Sequence, residues 1–450
     1  MTTRPLPPGP PQHFFSGNLP EFKRERLGFL TRVAREYGDC VPLRFGPKRI
    51  LLVSDPQMIE EVLATQSRHF IKHFALRINP IVLGNGLLTS EGEFWRRQRR
   101  LAQPAFHRQR IASYSSIFVD YTRWMLAGWS AGQIRDIHAD MMALTLGIAA
   151  KTLFNADVSG HESETGEALE VAQQRYIERF NSLIAFPMAV PTPGNLRLRR
   201  AVNKLDRIIY GFIRQRRASH EMNGDLLSLL LNARDEDDQS GMTDEQLRDE
   251  AMTLFLAGHE TTALALSWTW MLLAKHPDVA ARLHAEVDDV LAGRFPGAED
   301  VARLKFAESV ILESMRLYPP AFVIGREATA DCTIGGYPIP RGMTILMPQW
   351  VVHRDGRYFP EPERFHPERW LDGTTDAIPR YAYFPFGGGP RLCIGQSFAM
   401  MEMVLVLSVL AQHYRFTLVP DHPIVPAALF TLRPQHGIKA VIEPRAAKAT

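Results

Sequence analysis

The stretch FGGGPRLCIG, residues Phe386 to Gly395, joins a run of glycines to one of only three cysteines in 450 residues. An isolated cysteine after a glycine turn is more often an inert core residue than a ligand. Here, however, Cys393 is followed by residues with helical apolar spacing, and the free N–H groups and dipole at a helix start favour a thiolate. The glycines let the backbone approach a large flat group, to which Phe386 and Arg391 offer an apolar contact and a cation.

Other chemistry fits this stretch poorly. Leu392 stands where G-x-G-x-x-G needs its third glycine, and no P-loop lysine follows, so a nucleotide cradle is excluded. A zinc site needs further Cys or His at short spacing, but the next histidine is His413. A favoured thiolate, room for a large flat group and a nearby cation are together what haem bound through sulfur requires.

The composition predicts a soluble cytoplasmic protein. Apolar residues make up 45% and charged residues 22%, and the net charge of +3 gives no reason to expect a nucleic-acid partner. Three scattered cysteines fit no disulfide framework. The proline-rich start, MTTRPLPPGPPQHFF, lacks the apolar core of a signal peptide, and the longest apolar run, residues 263–274, is shorter than a membrane-spanning helix.

The order of patterns predicts a mainly helical fold with small sheets (α+β) in one domain over residues 1–450. CVPLRF and RILLV flank GPK and predict a hairpin, within a β-rich part at about 35–60 that is continued at 320–350. Helical spacing dominates residues 90–318 and 394–413. Thr243 begins a capping box, TDEQ, and helix-compatible sequence continues to Lys275, long enough to cross the molecule. An apolar, proline-rich connection at 184–200 interrupts the helices.

The middle of that long helix carries AGHETT, residues Ala257 to Thr262, in apolar surroundings. In one interpretation Thr261 bonds back to a carbonyl one turn earlier and Glu260 pairs with a distant base. In the other, the small residues leave room for a cofactor, the hydroxyl holds a water and the carboxylate relays protons. We treat His259 as incidental.

Two further stretches carry charge at helical spacing. ESMR places Glu313 and Arg316 on one helix face, and Arg364 of PERF is expected to complete a buried ionic cluster with them. In WRRQRR, Trp95 and Arg99 are four residues apart and can reach one anionic group; a solvated basic face is the alternative. Arg97 is expected to stay free for an acidic partner, with Arg96 and Arg100 beside it.

These stretches, in this order, resemble the cytochrome P450 family of haem-thiolate monooxygenases. The family pattern F-x-x-G-x-R-x-C-x-G is met from Phe386 to Gly395, and A-G-x-[DE]-T-T is met from Ala257 to Thr262. E-x-x-R is met by Glu313 and Arg316. The resemblance implies the P450 fold, with the long helix over haem b, and spans essentially the whole chain. The proline-rich lead resembles the microsomal branch, without that branch's membrane anchor, which indicates a soluble bacterial type.

By this resemblance Cys393 is the axial ligand of the haem iron, and Glu260 and Thr261 steer protons to dioxygen. The residues implied in haem binding are Trp95, Arg99, Arg326, Phe386, Gly387, Arg391, Cys393 and Gly395. The residues implied in the substrate pocket are Phe255, Ala257, Phe322, Val323, Leu429 and Phe430. Because this pocket is nearly all apolar, the substrate is expected to be a hydrophobic molecule such as a terpenoid, fatty acid or steroid.

The family's reaction inserts one oxygen atom of O2 with electrons that start at NAD(P)H. A separate ferredoxin or flavodoxin with its reductase is expected to deliver them to a monomeric enzyme. The alternatives are a peroxide-dependent or rearranging haem-thiolate enzyme and a haem sensor without turnover; a thiol-nucleophile enzyme that uses Cys393 is a further one.

Overall fold

The long helix begins and ends where the sequence predicts. In the computed structural model, the Thr243 hydroxyl accepts a hydrogen bond from the Gln246 N–H at 3.2 Å, and the Gln246 side chain accepts from the Thr243 N–H at 2.9 Å. The helix then runs Asp244–Lys275, ending at His276 before a proline. At 1.5 Å per residue it is about 48 Å long. We call it the central helix.

The structure describes residues 4–77, 80–155, 187–219, 225–235 and 239–445, together with positions 168, 171, 172, 174, 175 and 178. The predicted connection at 184–200 therefore lies partly outside the described residues. The chain forms two compact units. The first contains Met1–Arg77, Ser309–Cys393 and Pro426–Arg433; the second contains Ile78–Glu308, Ile394–Val425 and Pro434–Thr450. The single domain stays a prediction.

The first unit is organised around a sheet. Its strands are β1 (Cys40–Phe45), β2 (Lys48–Val53), β3 (Phe70–Lys72), β5 (Ile324–Ala328) and β8 (Thr344–Met347), in the order β1-β2-β8-β5-β3. The predicted hairpin is β1 and β2, and it joins the strands predicted at 320–350 through the parallel pairing of β2 with β8. Small pairs are formed by β6 (Cys332–Ile334) with β7 (Tyr337–Ile339) and β10 (Pro426–Ala428) with β11 (Leu432–Pro434).

Short helices surround this sheet. Asp55 caps the helix that Pro56 opens, because its carboxylate accepts from the Met58 N–H at 2.8 Å. The helices are α1 (Leu19–Arg24), α2 (Arg26–Tyr37), α3 (Pro56–Glu60), α4 (Phe74–Arg77) and α15 (Gln349–Val352). Apolar side chains of α3 and of both the early and late strands form one core cluster.

The second unit is mainly helical. Its helices are α5 (Pro80–Leu83), α6 (Gly92–Ala102), α7 (Arg108–Ser113), α8 (Ser115–Ala127), α9 (Ile137–Phe154), α10 (Pro193–Ser219), α11 (Leu226–Asn232), α12, which is the central helix, α13 (Pro277–Leu291) and α16 (Gln396–His413). Helix α14 (Lys305–Leu317) starts in this unit and continues into the first. The strands β4 (Ile134–Asp136), β9 (Tyr414–Leu418) and β12 (Lys439–Pro444) form a sheet that the sequence did not predict.

Helix α9 packs along the central helix. It is largely apolar, and the Thr145 hydroxyl donates to the His259 carbonyl oxygen of the central helix at 2.9 Å. By length and apolarity α9 could cross a membrane, but 72% of it is buried inside the protein. A mostly apolar helix that is largely buried is typical of a protein core. The fold is mainly helical with small sheets, as predicted.

Candidate active site

The loop Phe386–Cys393 holds its own shape through backbone hydrogen bonds. The Cys393 N–H donates to the Phe386 carbonyl oxygen at 3.0 Å, and the Leu392 N–H donates to Gly389 at 3.1 Å. Of the three cysteines, Cys393 is exposed, Cys332 half-buried and Cys40 buried. Burial, helped by Asp39, raises the pKa of the Cys40 thiol to about 12. Cys393 is therefore the cysteine whose sulfur is available to a ligand.

The glycines of this loop serve two different purposes. Gly389 has a φ of +63°, and a Cβ built on it would overlap the carbonyl oxygen of Leu63, so this glycine lets the loop pack on the protein itself. A Cβ on Gly387, with a φ of +75°, would meet Ile324 at ordinary contact distance. The expectation that the glycines make room for a ligand thus applies best to Gly387, and Gly389 is explained by packing within the first unit.

The helix predicted after Cys393 is α16, which begins at Gln396 with Gly395 as its N-cap. Cys393 lies two residues before that N-cap, so it precedes the helix and does not belong to its first turn. The Ala399 N–H donates to the Gly395 carbonyl oxygen at 2.8 Å, which starts the helical hydrogen bonds. In the first turn of α16, Ser397 is exposed and its neighbours are half-buried.

The middle of the central helix is the place where its burial is interrupted. Ala257 is exposed and Gly258 and Thr261 are half-buried, whereas His259 and Glu260 are buried. The Thr261 hydroxyl donates to the Ala257 carbonyl oxygen at 2.8 Å, the back-bonding that the sequence left as one of two interpretations. Its oxygen still has lone pairs that can accept a hydrogen bond from a bound water or ligand.

Trp95 and Arg99 share one surface of α6, as their spacing predicts. Both side chains are half-buried and line an open groove with Arg96, Arg100, Gln103 and Pro104. The Arg99 Nε donates to the Gln103 side chain at 3.1 Å, which orients the guanidinium along the groove. An anionic group in this groove would meet several cations and the Trp95 ring.

Arg97 and Arg100 differ from the prediction. Both bind Asp235, at 3.3 Å from Arg97 Nε and 2.9 Å from Arg100, and the Asp235 side chain is only 2% exposed. Arg97 also donates to the Ser240 hydroxyl at 2.6 Å, and Arg96 pairs with Glu93. The expectation that Arg97 stays free for an acidic partner was wrong, because a carboxylate about 140 residues later in the chain neutralises this face.

Arg326 lies on β5 in a concentration of positive charge. Its side chain is buried, and β5 pairs with β3 so that Arg326 lies opposite Lys72, which is also buried. The adjacent His73 has its pKa lowered to about 3, by burial first and then by Arg326, Lys72 and Arg77. Buried cations that hold a histidine neutral suit a carboxylate ligand.

The Glu313–Arg316 pair is fully buried and bidentate, with both bonds at 2.9 Å. The third member of the cluster is Arg369, whose Nε donates to Glu313 at 3.0 Å, and Trp370 Nε1 donates to the same carboxylate at 2.9 Å. The prediction of Arg364 was wrong: its side chain is 58% exposed and pairs with Glu361, and only its carbonyl oxygen accepts from Arg316.

The sequence carried a signal for Arg369 that we missed. The tripeptide P-E-R occurs twice, at 362–364 and at 367–369, and only the second is followed by a tryptophan that can donate to a buried carboxylate. Arg316 also donates to the carbonyl oxygens of His353 and Pro362. The cluster thus fastens a long stretch of loop to helix α14 and takes no direct part in chemistry.

The residues predicted to line a substrate pocket differ in burial. Ala257 and Phe430 are exposed, Val323 and Leu429 are half-buried, and Phe255 and Phe322 are buried. The Phe255 ring packs edge-on to Phe154 at 5.7 Å within the core of the second unit. Sequence reasoning missed Arg26, which donates to the carbonyl oxygens of Ala428 and Leu429 at 2.7 and 3.1 Å. Arg26 therefore fixes the turn that carries two of these residues.

The side chains present suit haem better than a bare metal ion. Among the described residues, no group of three or more His, Cys, Asp or Glu could hold a metal ion unaided. The first unit offers the exposed Cys393 thiol and the buried Arg326 cation. The second unit offers the groove of Trp95 and Arg99. A sulfur ligand and cations for carboxylates are the side-chain types that haem, an iron bound in an anionic macrocycle, uses.

The cytochrome P450 family model matches residues 7–440. The chain is a cytochrome P450. It is 38% identical to a cyclooctat-9-en-7-ol 5-monooxygenase of Streptomyces melanosporofaciens over 398 residues, 88% of this chain and 86% of the relative. It is 37% identical to cyclooctatin synthase of the same organism, covering 94% and 92% of the two chains. A pentalenene oxygenase of Streptomyces avermitilis is 34% identical, covering 92% of each.

This P450 is a monooxygenase with a haem-thiolate cofactor, as the sequence motifs predict. The motif residues come from both compact units: the thiol loop, Arg326 and the Glu313 cluster belong to the first, and the central helix, Trp95 and Arg99 belong to the second.

Proposed function

We propose that this P450 inserts one oxygen atom of O2 into a terpenoid, with Cys393 as the thiolate ligand of the haem iron. The observation that carries the proposal is the exposed Cys393 thiol on a loop that its own backbone hydrogen bonds hold rigid. The substrate class is supported by the names of the relatives, which act on cyclooctat-9-en-7-ol and pentalenene. The apolar character of the proposed pocket residues agrees with it.

Haem, when bound, supplies the activation of dioxygen and the oxidising chemistry. The overall reaction consumes O2, two electrons and two protons for each hydroxyl group formed, and releases one water. The chain's own residues must therefore deliver protons to the place where dioxygen reacts and keep other protons away from it. The loop of Phe386–Cys393 keeps the sulfur in position, and Arg391 and Phe386 contribute a cation and an apolar contact next to it.

Thr261 and Glu260 are the proposed proton carriers. The Thr261 hydroxyl donates to the Ala257 carbonyl oxygen, and its own oxygen remains able to accept a hydrogen bond from a water or a ligand. Glu260 is buried beside it and can replenish a proton after side-chain rotation. The small residues Ala257 and Gly258 leave this stretch of helix uncovered by its own side chains.

The carboxylates of haem are proposed to bind Trp95, Arg99, Arg326 and Arg391. Arg326 and the Arg99 groove both place cations at partly or fully desolvated positions, where charge-assisted hydrogen bonds to carboxylates are strong. Gly387 and Gly395 allow close approach of backbone to the cofactor. The pocket is proposed to include Val323, Phe322, Leu429 and Phe430 with Ala257 and Phe255.

Electrons are proposed to come from a ferredoxin or flavodoxin with a reductase that oxidises NAD(P)H, to a monomeric cytoplasmic enzyme. Turnover with purified ferredoxin, reductase and NADPH is the expected result. Turnover with peroxide alone would instead support the peroxide-dependent alternative.

A spectral titration of the purified holoprotein tests the substrate class, because displacement of a water from haem iron reports binding without any redox partner. We expect polycyclic terpenes to shift the haem absorption at micromolar concentration. Fatty acids and steroids of similar size serve as controls, and a shift with these but not with terpenes would refute the terpenoid assignment.

A further inference from the structure

The segment Gly84–Ser90, of sequence GNGLLTS, is fastened to the central helix by two consecutive acidic side chains. Asp249 accepts a hydrogen bond from the Asn85 N–H at 2.7 Å, and Glu250 accepts one from the Leu87 N–H at 3.0 Å. All of these residues belong to the second unit. We call this stretch the 84–90 segment.

Two glycines let the segment lie directly on the helix. Gly84 has a φ of +53°, and a Cβ built on it would overlap the Asp249 carboxylate. A Cβ on Gly86 would overlap the Thr253 hydroxyl and the Asp249 carbonyl oxygen. The Thr89 hydroxyl donates to the Gly84 carbonyl oxygen at 2.8 Å and closes the turn. The close approach therefore depends on the glycines of the segment as well as on the side chains of the helix.

Asp249 is held in place by charge. Arg248 donates to it at 2.9 Å, binds Asp206 of α10 at 2.6 Å and donates to the Ile81 carbonyl oxygen at 3.3 Å. One arginine thus links the helix, α10 and the residues just before the 84–90 segment. This network fixes the carboxylate that binds Asn85.

Glu250 is the more unusual member of the pair. It is 1% exposed, and its second oxygen is buried without a hydrogen-bond partner in the part of the chain that the structure describes. Burial raises the pKa of this carboxyl to about 8, against the hydrogen bond from Leu87, which lowers it. A buried carboxyl that has so few hydrogen bonds lowers the stability of the folded protein. Such a destabilising residue is typical of a functional region.

The segment packs on a ridge of the central helix that leads to its exposed part. Asp249, Thr253, Ala257 and Thr261 follow one another at intervals of four residues and so form one ridge of the central helix. Gly86 packs on Thr253, and the next residue on the ridge, about 6 Å further along, is the exposed Ala257. The segment therefore forms a wall at one end of the stretch that carries Thr261.

We propose that Asp249 and Glu250 are positioning residues that hold the 84–90 segment as a fixed wall beside Ala257 and Thr261, and so set the size and orientation of the molecule that binds there. This inference rests on the proposed function of Thr261 and Ala257. Each of the two side chains acts through the backbone amide that it binds and not on the reacting atoms themselves.

Hydrogen exchange of the holoprotein, followed by mass spectrometry, tests the first half of the proposal. Glu250→Leu and Asp249→Leu remove the acceptors, whereas Glu250→Gln and Asp249→Asn keep an acceptor oxygen. We expect the leucine variants to speed exchange in peptides covering 84–90 by about tenfold, and the amide variants to change it little. Thr269→Val is the matched control, because Thr269 is buried on the same helix and donates to Ala265. Unchanged exchange in both leucine variants would refute the proposal that Asp249 and Glu250 hold the segment, an arrangement that we call the clamp.

Titration with imidazole and 4-phenylimidazole tests the second half, because both ligands bind haem iron and differ in size. We expect the ratio of their dissociation constants to change by about fivefold or more in Glu250→Leu and to stay constant in Glu250→Gln and Thr269→Val. Faster hydrogen exchange in residues 84–90 with an unchanged ratio of dissociation constants would show that the segment does not shape the binding site. If the wild-type holoprotein bound neither azole, the proposed function itself would fail, while the exchange result would still report on the clamp.

Discussion

The backbone N–H of Cys393 donates to the carbonyl oxygen of Phe386 at 3.0 Å, so the two ends of the motif loop are bonded to each other. The thiol is consequently presented by a loop that its own main chain closes. The loop requires glycine at position 389, because the positive φ there and the close approach to the Leu63 backbone leave no space for a Cβ.

Gly389→Ala is therefore expected to prevent normal assembly of the loop. The substitution adds an unfavourable backbone conformation and a clash with a backbone oxygen, which together cost a few kcal/mol. We expect the variant to retain well under half of the haem content of the wild-type protein, measured by haem absorbance per protein. Gly356→Ala is the control, since a Cβ there meets nothing within 4 Å. Equal haem content in the two variants would contradict this account of Gly389.

Arg369→Met is expected to destabilise the protein by about 3–5 kcal/mol, because it leaves the buried Glu313 carboxylate with one fewer cation. Arg364→Met, at the exposed position first predicted for this role, is expected to change stability by less than about 1 kcal/mol. Urea unfolding curves of the two variants give the comparison directly. Similar losses for both would place Arg364 back in the cluster.

These arginines show where sequence reasoning reaches its limit. Glu313 and Arg316 are three residues apart, so helix geometry alone pairs them. The choice between Arg364 and Arg369 depends on how the loop after α15 folds, and two identical tripeptides do not distinguish them. The same holds for Arg97, whose partner Asp235 is 138 residues away and is brought close by tertiary packing alone.

Local signals, by contrast, predicted the structure well. The capping box at Thr243, Pro56 at the start of α3 and the β1–β2 hairpin each depend on a few neighbouring residues, and all are confirmed. The three-stranded sheet of β4, β9 and β12 was missed in part because β4 has only three residues and pairs with β12 across about 300 residues. The clamp of Asp249 and Glu250 was missed for the same reason.

Thr261→Val is expected to uncouple electron use from product formation. The substitution keeps the shape of the side chain but removes the hydroxyl that is proposed to pass protons, so more NADPH is consumed for each product molecule, by about tenfold. Thr262→Val is the matched control: its hydroxyl also bonds one turn back, to Gly258 at 3.0 Å, and it is buried. Equal coupling in the two variants would remove the proposed role of Thr261.

The raised pKa of Glu250 predicts how the stability of the protein depends on pH. Its pKa is raised from 4.5 to about 8 in the folded protein, so folding retains a proton that the unfolded chain releases. The stability that this proton provides is complete below about pH 4.5 and is lost as the pH rises to about 8. Relative to Glu250→Gln, the wild-type protein should therefore lose a few kcal/mol between pH 5 and pH 9 in urea unfolding. Parallel curves for the two proteins would show that this carboxyl is not held protonated.

The carbon monoxide spectrum of the reduced protein tests the central claim, which is thiolate ligation by Cys393. A haem iron with a thiolate ligand gives a carbonyl band at distinctly longer wavelength than one with a histidine ligand. We expect the wild-type protein and Cys332→Ser to show the red-shifted band, and Cys393→His to bind haem without it. Survival of the red-shifted band in Cys393→His, or its absence from the wild-type protein, would contradict the assignment.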